Sequence, residues 1–221
     1  LNPVTDLQEE VIGIYGGDPA PRPKSETLLD GEYVGVTLHT RSDGGWARTD
    51  VFGPAGIDVA AIRTYDELAE ACLAVSDPDN ELWGWGMTVN RGGDGNWFLV
   101  RVLQGWGAPW VDETGEYVTI DSPEAVEAVE WLVDLYTNPE WERMMPPGVL
   151  SWTDSSNNEA YLGGKVAYTQ NAGSVYAKAV ADGLDLADDT MFDIPKGGPV
   201  LQDFNGLGGM YLHHIMGSKN P

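Results

Sequence analysis

A helix, turn and strand pattern between Pro146 and Ser174 sets the strongest limit on how this chain can fold. The Ser155–Ser156 pair is placed to cap a short helix, because a serine hydroxyl accepts hydrogen bonds from first-turn N–H groups. The Gly163–Gly164 pair can end that helix in the left-handed conformation. Val166–Tyr168 then has the pattern of a buried strand, and Asn171–Gly173 that of a polar loop beyond it. A helix that leads into a buried strand is typical of α/β folds, whose ligands bind beyond the carboxyl ends of the strands.

Helices and strands alternate along the rest of the chain. Helices are predicted where apolar residues recur about every 3.6 positions behind a capping residue, over residues 5–14, 64–75, 97–104, 122–136 and 174–181. Strands are predicted where short β-forming runs lie between turn residues, over residues 33–40, 82–89, 117–120, 191–194 and 208–212. This alternation predicts an α/β fold with a mostly parallel sheet.

Glycine, proline and short polar residues predict the breaks between these elements. Loops are expected at residues 16–24, 43–45, 90–96 and 105–109, with an irregular stretch at 138–145. One face of the helix over 122–136 is expected to be buried, formed by Val126, Val129, Val133 and Tyr136. Cys72 lies on the apolar side of its helix and is expected to be a small core residue.

Acidic residues dominate the charge of this chain. Thirty-five Asp and Glu residues against 12 Lys and Arg residues give a formal net charge of -23. Such a surface repels phosphates and anionic lipids, so nucleic acid and membrane-surface partners are not expected. The single cysteine excludes a disulfide framework and a thiolate metal cluster. The sequence also has no P-loop and no HExxH motif, and its Asp77-x-Asp79 segment lacks the later glycine and glutamate of a calcium loop, so neither a cofactor nor a metal site is predicted.

The order and spacing of several motifs resemble one family over nearly the whole chain. These motifs are GEYVGV, TDVFxxAGID, SPEAVEAVEWLVDLY, PPGVLSW and NNEAYLGGKVAY. In this order they resemble the extracellular (periplasmic) solute-binding proteins of ABC importers, specifically the sugar-binding family that includes maltose-binding protein.

The resemblance implies an architecture. The family has a two-lobe, type II periplasmic-binding-protein-like α/β fold, whose chain crosses a hinge more than once. This chain corresponds to a central segment in which lobe one is incomplete. Residues 1–40 are expected to form the end of lobe one and the first crossing, residues 41–203 lobe two, and residues 204–221 the return crossing and a strand of lobe one.

The resemblance also implies a ligand cleft, lined by hinge crossings and by loops at strand ends. The expected ligand-binding residues are Arg41, Asp43, Asp94, Asn96, Trp97, Trp152, Asp154, Asn171, Ser174, Asn205 and Gly206. An indole can pack on the C–H face of a sugar ring while a carboxylate and an amide hold its hydroxyl rim. Trp97 with Asp94 and Asn96 offers this chemistry, and Trp152 with Asp154 repeats it.

Two positions depart from the family pattern. Arg41 matches an acidic ligand contact of the maltose binder, which leaves open whether the ligand is neutral or acidic. Ser174 stands where the family often has the tryptophan of a Gly-Pro-Trp motif, so that stacking aromatic is absent. Trp106 or Trp110 could replace it, although core packing is the expectation for both.

The function implied by the resemblance is non-enzymatic. A carbohydrate, with an oligosaccharide favoured, is captured in the cleft by hinge closure and delivered to the transmembrane subunits of an ABC permease. The full-length bacterial protein is expected to be a monomer in the periplasm or outside the cell, either free or as a lipoprotein. The alternative is a carbohydrate-active hydrolase that uses paired carboxylates, Asp94 with Asp154 or Glu159.

Overall fold

A computed structural model describes residues 1–19, 21–112, 114–202 and 207–212, and only the backbone of residues 22, 38–43 and 207–212. The chain divides into two compact units. The first unit comprises Leu1–Asp43 and Gly206–Pro221, and the second comprises Gly44–Asn205. None of the helices in the described ranges is long and apolar enough to cross a membrane.

The first unit contains helices α1 and α2 and short antiparallel strand pairs. Its elements are α1 (Thr5–Tyr15), α2 (Pro21–Thr27), β1 (Leu28–Leu29), β2 (Glu32–Tyr33), the first half of β3 (Val36–Arg48) and β7 (Leu207–Leu212). Asp30 and Gly31 join β1 to β2 with positive φ angles of 51° and 85°. Such angles match the right-handed twist of a tight hairpin, and β1 pairs with β2 antiparallel.

The second unit is a sheet flanked by helices. Its remaining elements are α3 (Thr49–Phe52), α4 (Tyr65–Val75), β4 (Trp83–Trp85), α5 (Gly93–Gly105), α6 (Pro123–Thr137), α7 (Pro139–Glu142), α8 (Ser156–Leu162), β5 (Val166–Ala172), α9 (Ser174–Ala181) and β6 (Thr190–Asp193). The strands lie in the order β4, β5, β3, β6. Trp85, Tyr65, Phe98, Leu68 and Tyr168 are among the large side chains that fill its core.

Local signals placed several helices correctly. The Thr64 hydroxyl accepts a hydrogen bond from Glu67 N, and the Glu67 carboxylate accepts one from Thr64 N, so the predicted capping box at α4 is confirmed. Ser122 caps α6 with Pro123 in its first turn, and Gly164 adopts a φ of 70° after α8. Cys72 is confirmed as a core residue, and burial raises the pKa of its thiol.

Several predicted breaks are wrong. Residues 16–24 are not all loop, since α2 begins at Pro21, because proline is tolerated in a first turn whose N–H groups lack helical partners anyway. Residues 43–45 do not interrupt β3, which continues to Arg48. Helix α5 begins at Gly93, so Asp94 and Asn96 lie in a helix and not in a loop. Helix α7 occupies part of the stretch expected to be irregular.

The predicted strands also need correction. Strand β4 is only three residues long, and residues 117–120 contribute an isolated bridge between Val111 and Val118 instead of a strand. The sheet is mixed and not mostly parallel: β4 pairs with β5 parallel, whereas β3 pairs antiparallel with β6 and with β7. Strand β5 extends to Ala172, so Asn171 belongs to the strand rather than to the loop.

The buried face of α6 differs from the predicted one. Val126, Val129 and Val133 are exposed by 55%, 46% and 55%, whereas Ala125, Ala128 and Leu135 are buried. All three buried residues belong to the same core cluster as Phe98 and Val102 of α5. Tyr136 is the one predicted residue that packs inward, where its hydroxyl accepts a hydrogen bond from Trp85 Nε1 at 2.8 Å.

Candidate functional site

Polar side chains from three elements meet beyond the carboxyl end of β5. Asp94 lies in the first turn of α5, Asn157 and Asn158 in the first turn of α8, and Asn171 near the end of β5. We call these four residues the Asp94 cluster. Because β4 and β5 are parallel, the chain leaves both strands at the same edge of the sheet, and α5 begins there.

The Asp94 carboxylate is the centre of this cluster. Its Oδ2 atom accepts hydrogen bonds from Asn157 Nδ2 at 2.9 Å and from Asn171 Nδ2 at 3.0 Å. Asn171 Nδ2 also donates to Asn158 Oδ1. Asn157 and Asn171 are buried, while Asp94 and Asn158 are partly exposed. The cluster therefore contains a carboxylate and amides whose positions are fixed by hydrogen bonds to one another.

The side-chain oxygen of Asn157 is a hydrogen-bond acceptor that points into the protein interior without a described donor. Its Nδ2 faces the Asp94 carboxylate, which fixes the orientation of the amide, because a carboxylate accepts hydrogen bonds and cannot donate them. Asn157 Oδ1 then has no hydrogen-bond partner within the described part of the chain, although the residue is fully buried. A buried acceptor of this kind is costly unless a water or a hydroxyl group donates to it.

Asp154 holds the start of α5. Its two carboxylate oxygens accept hydrogen bonds from Gly93 N at 2.8 Å and Asp94 N at 3.1 Å. A Cβ atom on Gly92 would lie 2.3 Å from Asp154 Oδ1, so a larger residue there would displace this carboxylate. Asp154 thus caps a helix that is 60 residues away in sequence.

The two predicted tryptophans have different surroundings. Trp97 is one turn after Asp94 on α5, and the Arg101 guanidinium carbon lies 4.4 Å from the centre of its ring, in a cation–π contact. Trp152 is partly buried and packs against the core, and its carbonyl accepts a hydrogen bond from Thr88 Oγ1 at 3.1 Å.

The other predicted site residues are more scattered. Asn96 and Ser174 are exposed, on α5 and at the first position of α9. The side chains of Arg41 and Asp43, and all of Asn205 and Gly206, lie outside the part of the chain that the structure describes. Of the two tryptophans expected to pack in the core, Trp106 is buried, whereas Trp110 is 52% exposed.

An aromatic group close to Asn171 was not predicted. Trp46 Nε1 donates a hydrogen bond to the Asn171 carbonyl at 3.1 Å. The Tyr176 ring stacks on Trp46 with centroids 5.5 Å apart and planes 2° from parallel, and Phe192 meets Trp46 edge-on at 5.2 Å. The two asparagines of α8 were also missed, although their position before a buried strand was a usable signal.

Two buried polar networks involve side chains of β5. Tyr65 Oη donates to Gln170 Oε1 at 2.9 Å, and burial raises the pKa of the Tyr65 hydroxyl so that it stays a donor. Lys196 and Asp193 form a buried ion pair, and Tyr168 Oη donates to Asp193 Oδ2 at 3.1 Å. Burial raises the pKa of Asp193 and lowers that of Lys196, which also donates to backbone carbonyls.

A groove lies at the other end of β4. It has a volume of about 720 Å³, and its walls include Pro78, Trp83, Pro146 and Pro147. Its one arginine, Arg143, donates to the Ser76 carbonyl at 3.0 Å. Most of its lining is proline and apolar side chains, whereas the Asp94 cluster has the convergent polar groups that position a polar ligand, and we take the cluster as the candidate site.

Comparison with known proteins gives a family match over most of the chain. The model of the family described as bacterial extracellular solute-binding protein matches residues 2–212. An arabinooligosaccharide-binding protein from Halalkalibacterium halodurans is 27% identical over 119 residues, which are 54% of this chain and 25% of that protein.

Solved structures match the fold. A solute-binding protein of an ABC transporter from Thermotoga lettingae, bound to α-D-tagatose, has a TM-score of 0.79 at 18% identity. The match covers 100% of this chain and 54% of the chain in that structure. Maltose-bound MalE3 from T. maritima has a TM-score of 0.74 at 22% identity, and the match covers 96% of this chain and 51% of the MalE3 chain. A mannitol-bound protein from Agrobacterium vitis has a TM-score of 0.72 at 25% identity, and the match covers 90% of this chain and 47% of that protein's chain. This chain thus spans about half the length of these structures.

Proposed function

Because the chain belongs to the bacterial extracellular solute-binding protein family, we propose that it forms part of the carbohydrate-binding component of an ABC importer. The relatives support this class of ligand, since their names and bound molecules include arabinooligosaccharide, maltose and mannitol. We infer a neutral polyhydroxylated ligand, with an oligosaccharide favoured over a single sugar.

The observation that carries the proposal is the convergence of Asp94, Asn157, Asn158 and Asn171 beyond the carboxyl end of β5. The carboxylate can accept hydrogen bonds from the hydroxyl rim of a sugar, and an amide can both accept from that rim and donate to it. The amides also hold the carboxylate in one orientation before a ligand arrives, which reduces the ordering cost of binding. We propose Trp97, which follows Asp94 by one helical turn on α5, as the aromatic side chain that would pack on a sugar ring.

We further propose that the two compact units are the two lobes of the family. Strand β3 leads from one unit into the other. In this proposal a ligand that contacts both lobes favours a closed arrangement, which the transmembrane subunits of a permease then recognise. The full-length protein would act as a monomer in the periplasm or outside the cell, with a lipid anchor as the alternative to free secretion.

We propose that the protein has no hydrolase activity. A glycosidase needs one carboxylic acid that donates a proton and a second carboxylate that attacks or activates water. Asp94 and Asp154 instead accept hydrogen bonds from N–H groups that fix their positions. Glu159, the other predicted partner, is exposed on α8.

Titration of the full-length protein with neutral sugars tests the proposal. Saturable binding of at least one of maltose, laminaribiose, arabinobiose and mannitol, measured by calorimetry, is expected. Asp94→Ala should weaken that binding by about 10- to 100-fold, because the loss of a hydrogen bond to a charged group costs about 1.5–3 kcal/mol. Asp79→Ala is the matched control, since Asp79 is exposed before the start of β4.

Two outcomes would contradict the proposal. A full-length protein that binds none of a broad panel of neutral oligosaccharides and polyols would remove its basis. Equal binding by the parent and Asp94→Ala would show that the ligand does not use the Asp94 cluster.

A further inference from the structure

Helix α5 begins with a sequence that is a poor helix former by itself. Gly92 precedes the helix, and Gly93 and Gly95 lie on either side of Asp94 in its first turn. Glycine loses more backbone freedom in a helix than other residues do, so a first turn of this composition has little intrinsic stability. Gly92 also has no side chain that could accept a hydrogen bond from the first-turn N–H groups. The start of α5, and with it the position of Asp94, therefore depends on an acceptor from elsewhere in the chain.

That acceptor is the carboxylate of Asp154, which lies 60 residues after Asp94. One of its oxygens accepts a hydrogen bond from Gly93 N at 2.8 Å, and the other accepts one from Asp94 N at 3.1 Å. A Cβ atom on Gly92 would lie 2.3 Å from Asp154 Oδ1, so the bare backbone leaves the space that the carboxylate fills. Side-chain acceptors and negative charge both stabilise a helix N-terminus. Asp154 therefore supplies the cap that the local sequence of α5 lacks.

The segment that carries Asp154 makes two further contacts in this region. Thr88 Oγ1, in the chain that leads to α5, donates to the Trp152 carbonyl at 3.1 Å. Asn157, three residues after Asp154, donates from Nδ2 to Asp94 Oδ2 at 2.9 Å. One short segment thus holds both the backbone of Asp94, through Asp154, and its side chain, through Asn157.

We propose that Asp154 is a positioning residue of the carbohydrate site, which orders the first turn of α5 so that the Asp94 carboxylate is in place before a ligand arrives. Asp154 acts through Asp94 and does not contact the ligand. When the binding-competent arrangement is populated only part of the time, the apparent affinity falls in proportion to that fraction. This inference rests on the proposed function, because it assigns a role at the same cluster.

A double-mutant cycle in the full-length protein tests the inference. Calorimetry would use maltose, laminaribiose, arabinobiose and mannitol as ligands. Asp154→Ala should weaken binding by about three- to tenfold, since the loss of a helix cap destabilises the ordered first turn by a comparable factor. In an Asp94→Ala background the same change should weaken binding by less than about twofold, because no carboxylate remains to be positioned.

A more conservative variant completes the series. Asp154→Asn keeps one oxygen that can accept from the first turn, so its affinity should lie between those of the parent and Asp154→Ala. The same cycle with Asp154→Asn tests the inference if Asp154→Ala does not fold. A residue that only stabilises the protein would weaken binding equally with and without Asp94.

Amide hydrogen exchange measures the order of the first turn directly. Gly93 N and Asp94 N donate to Asp154 in the parent, so their exchange should be about three- to tenfold faster in Asp154→Ala. A saturating ligand should restore much of the lost protection, because it binds the ordered arrangement in preference to the frayed one.

Ser122→Ala is the matched control. The Ser122 hydroxyl caps α6 in the same compact unit, by accepting a hydrogen bond from Ala125 N at 3.2 Å. Its loss should lower the thermal stability of the protein as Asp154→Ala does. It should leave both the carbohydrate affinity and the exchange of Gly93 N and Asp94 N within about twofold of the parent values.

Each result has a distinct meaning. Parental affinity and parental amide exchange in Asp154→Ala would overturn the inference and leave the proposed function standing. An equal loss of affinity in the two backgrounds would also overturn it, because Asp154 would then act independently of Asp94. If the parent binds none of the four ligands, the proposed function fails, and the inference fails with it.

Discussion

The glycine at position 45 should be among the least replaceable residues of the second unit. It lies inside β3, where a Cβ atom would come within 1.9 Å of Tyr168 Oη and 2.3 Å of Cζ. Tyr168 is buried, and its hydroxyl donates to Asp193, the partner of Lys196. Gly45→Ala must therefore displace either the strand or the tyrosine.

The expected cost follows from these two consequences. Overpacking a filled core costs about 1–3 kcal/mol. Loss of a hydrogen bond to a charged acceptor costs about 1.5–3 kcal/mol, with the larger values where that acceptor stays buried. Gly45→Ala should therefore lower the free energy of unfolding of the second unit by about 3–5 kcal/mol.

Urea unfolding followed by tryptophan fluorescence and far-UV circular dichroism measures this free energy. Gly13→Ala is the control: Gly13 lies within α1, no atom lies within 4 Å of the position that an added Cβ atom would take, and alanine there should be neutral or stabilising by up to about 1 kcal/mol. In a Tyr168→Phe background the closest contact is gone, so the cost of Gly45→Ala should be smaller. A cost of Gly45→Ala below about 0.5 kcal/mol, or an equal cost in both backgrounds, would refute the reasoning.

The remaining predictions concern helices α6 and α4. Leu135→Ala should destabilise the protein by about 2–5 kcal/mol, because Leu135 is buried, whereas Val129→Ala should cost less than about 1 kcal/mol in the same urea assay; equal costs would mean that α6 buries its valine face. Hydrogen bonds from Arg63 N and Thr64 N lower the pKa of Glu67, so its contribution to stability should be present at neutral pH and decline as pH falls through that lowered pKa. Thermal unfolding from pH 7 to pH 3 should show a smaller decline for Glu67→Gln than for the parent, and parallel curves would contradict this.

Local sequence signals identified most helices because their causes lie within a few residues. The capping box of α4 joins Thr64 to Glu67, and the start of α6 depends on Ser122 and Pro123. The same reasoning failed at α2, where the prolines predict a loop although the first turn of a helix accepts them. Single residues can thus mark an element boundary, but they do not always identify which side of the boundary is helical.

Local sequence signals predicted some residues of the candidate site but not the contacts between them. The sequence suggested Asp94, Asn171 and Asp154 as polar groups near strand ends. It contained no indication that Asp154 would bond to the backbone of Asp94, or that Asn157 would orient its carboxylate. These contacts join residues 60 or more positions apart, and no local pattern encodes which donor meets which acceptor.

Composition and motif order were enough to identify the family, the alternation of helices and strands, and the negative charge, because these features do not depend on packing. Three features could be read only from the folded chain: Gly44–Gly45 continues a strand, α6 buries its alanines, and the sheet is mixed. Burial and strand pairing depend on which surface packs against each element, and the local sequence does not specify that surface. Both faces of α6 have helical periodicity, and β3 is continuous because Tyr168 and Phe192 pack where its glycines have no side chains.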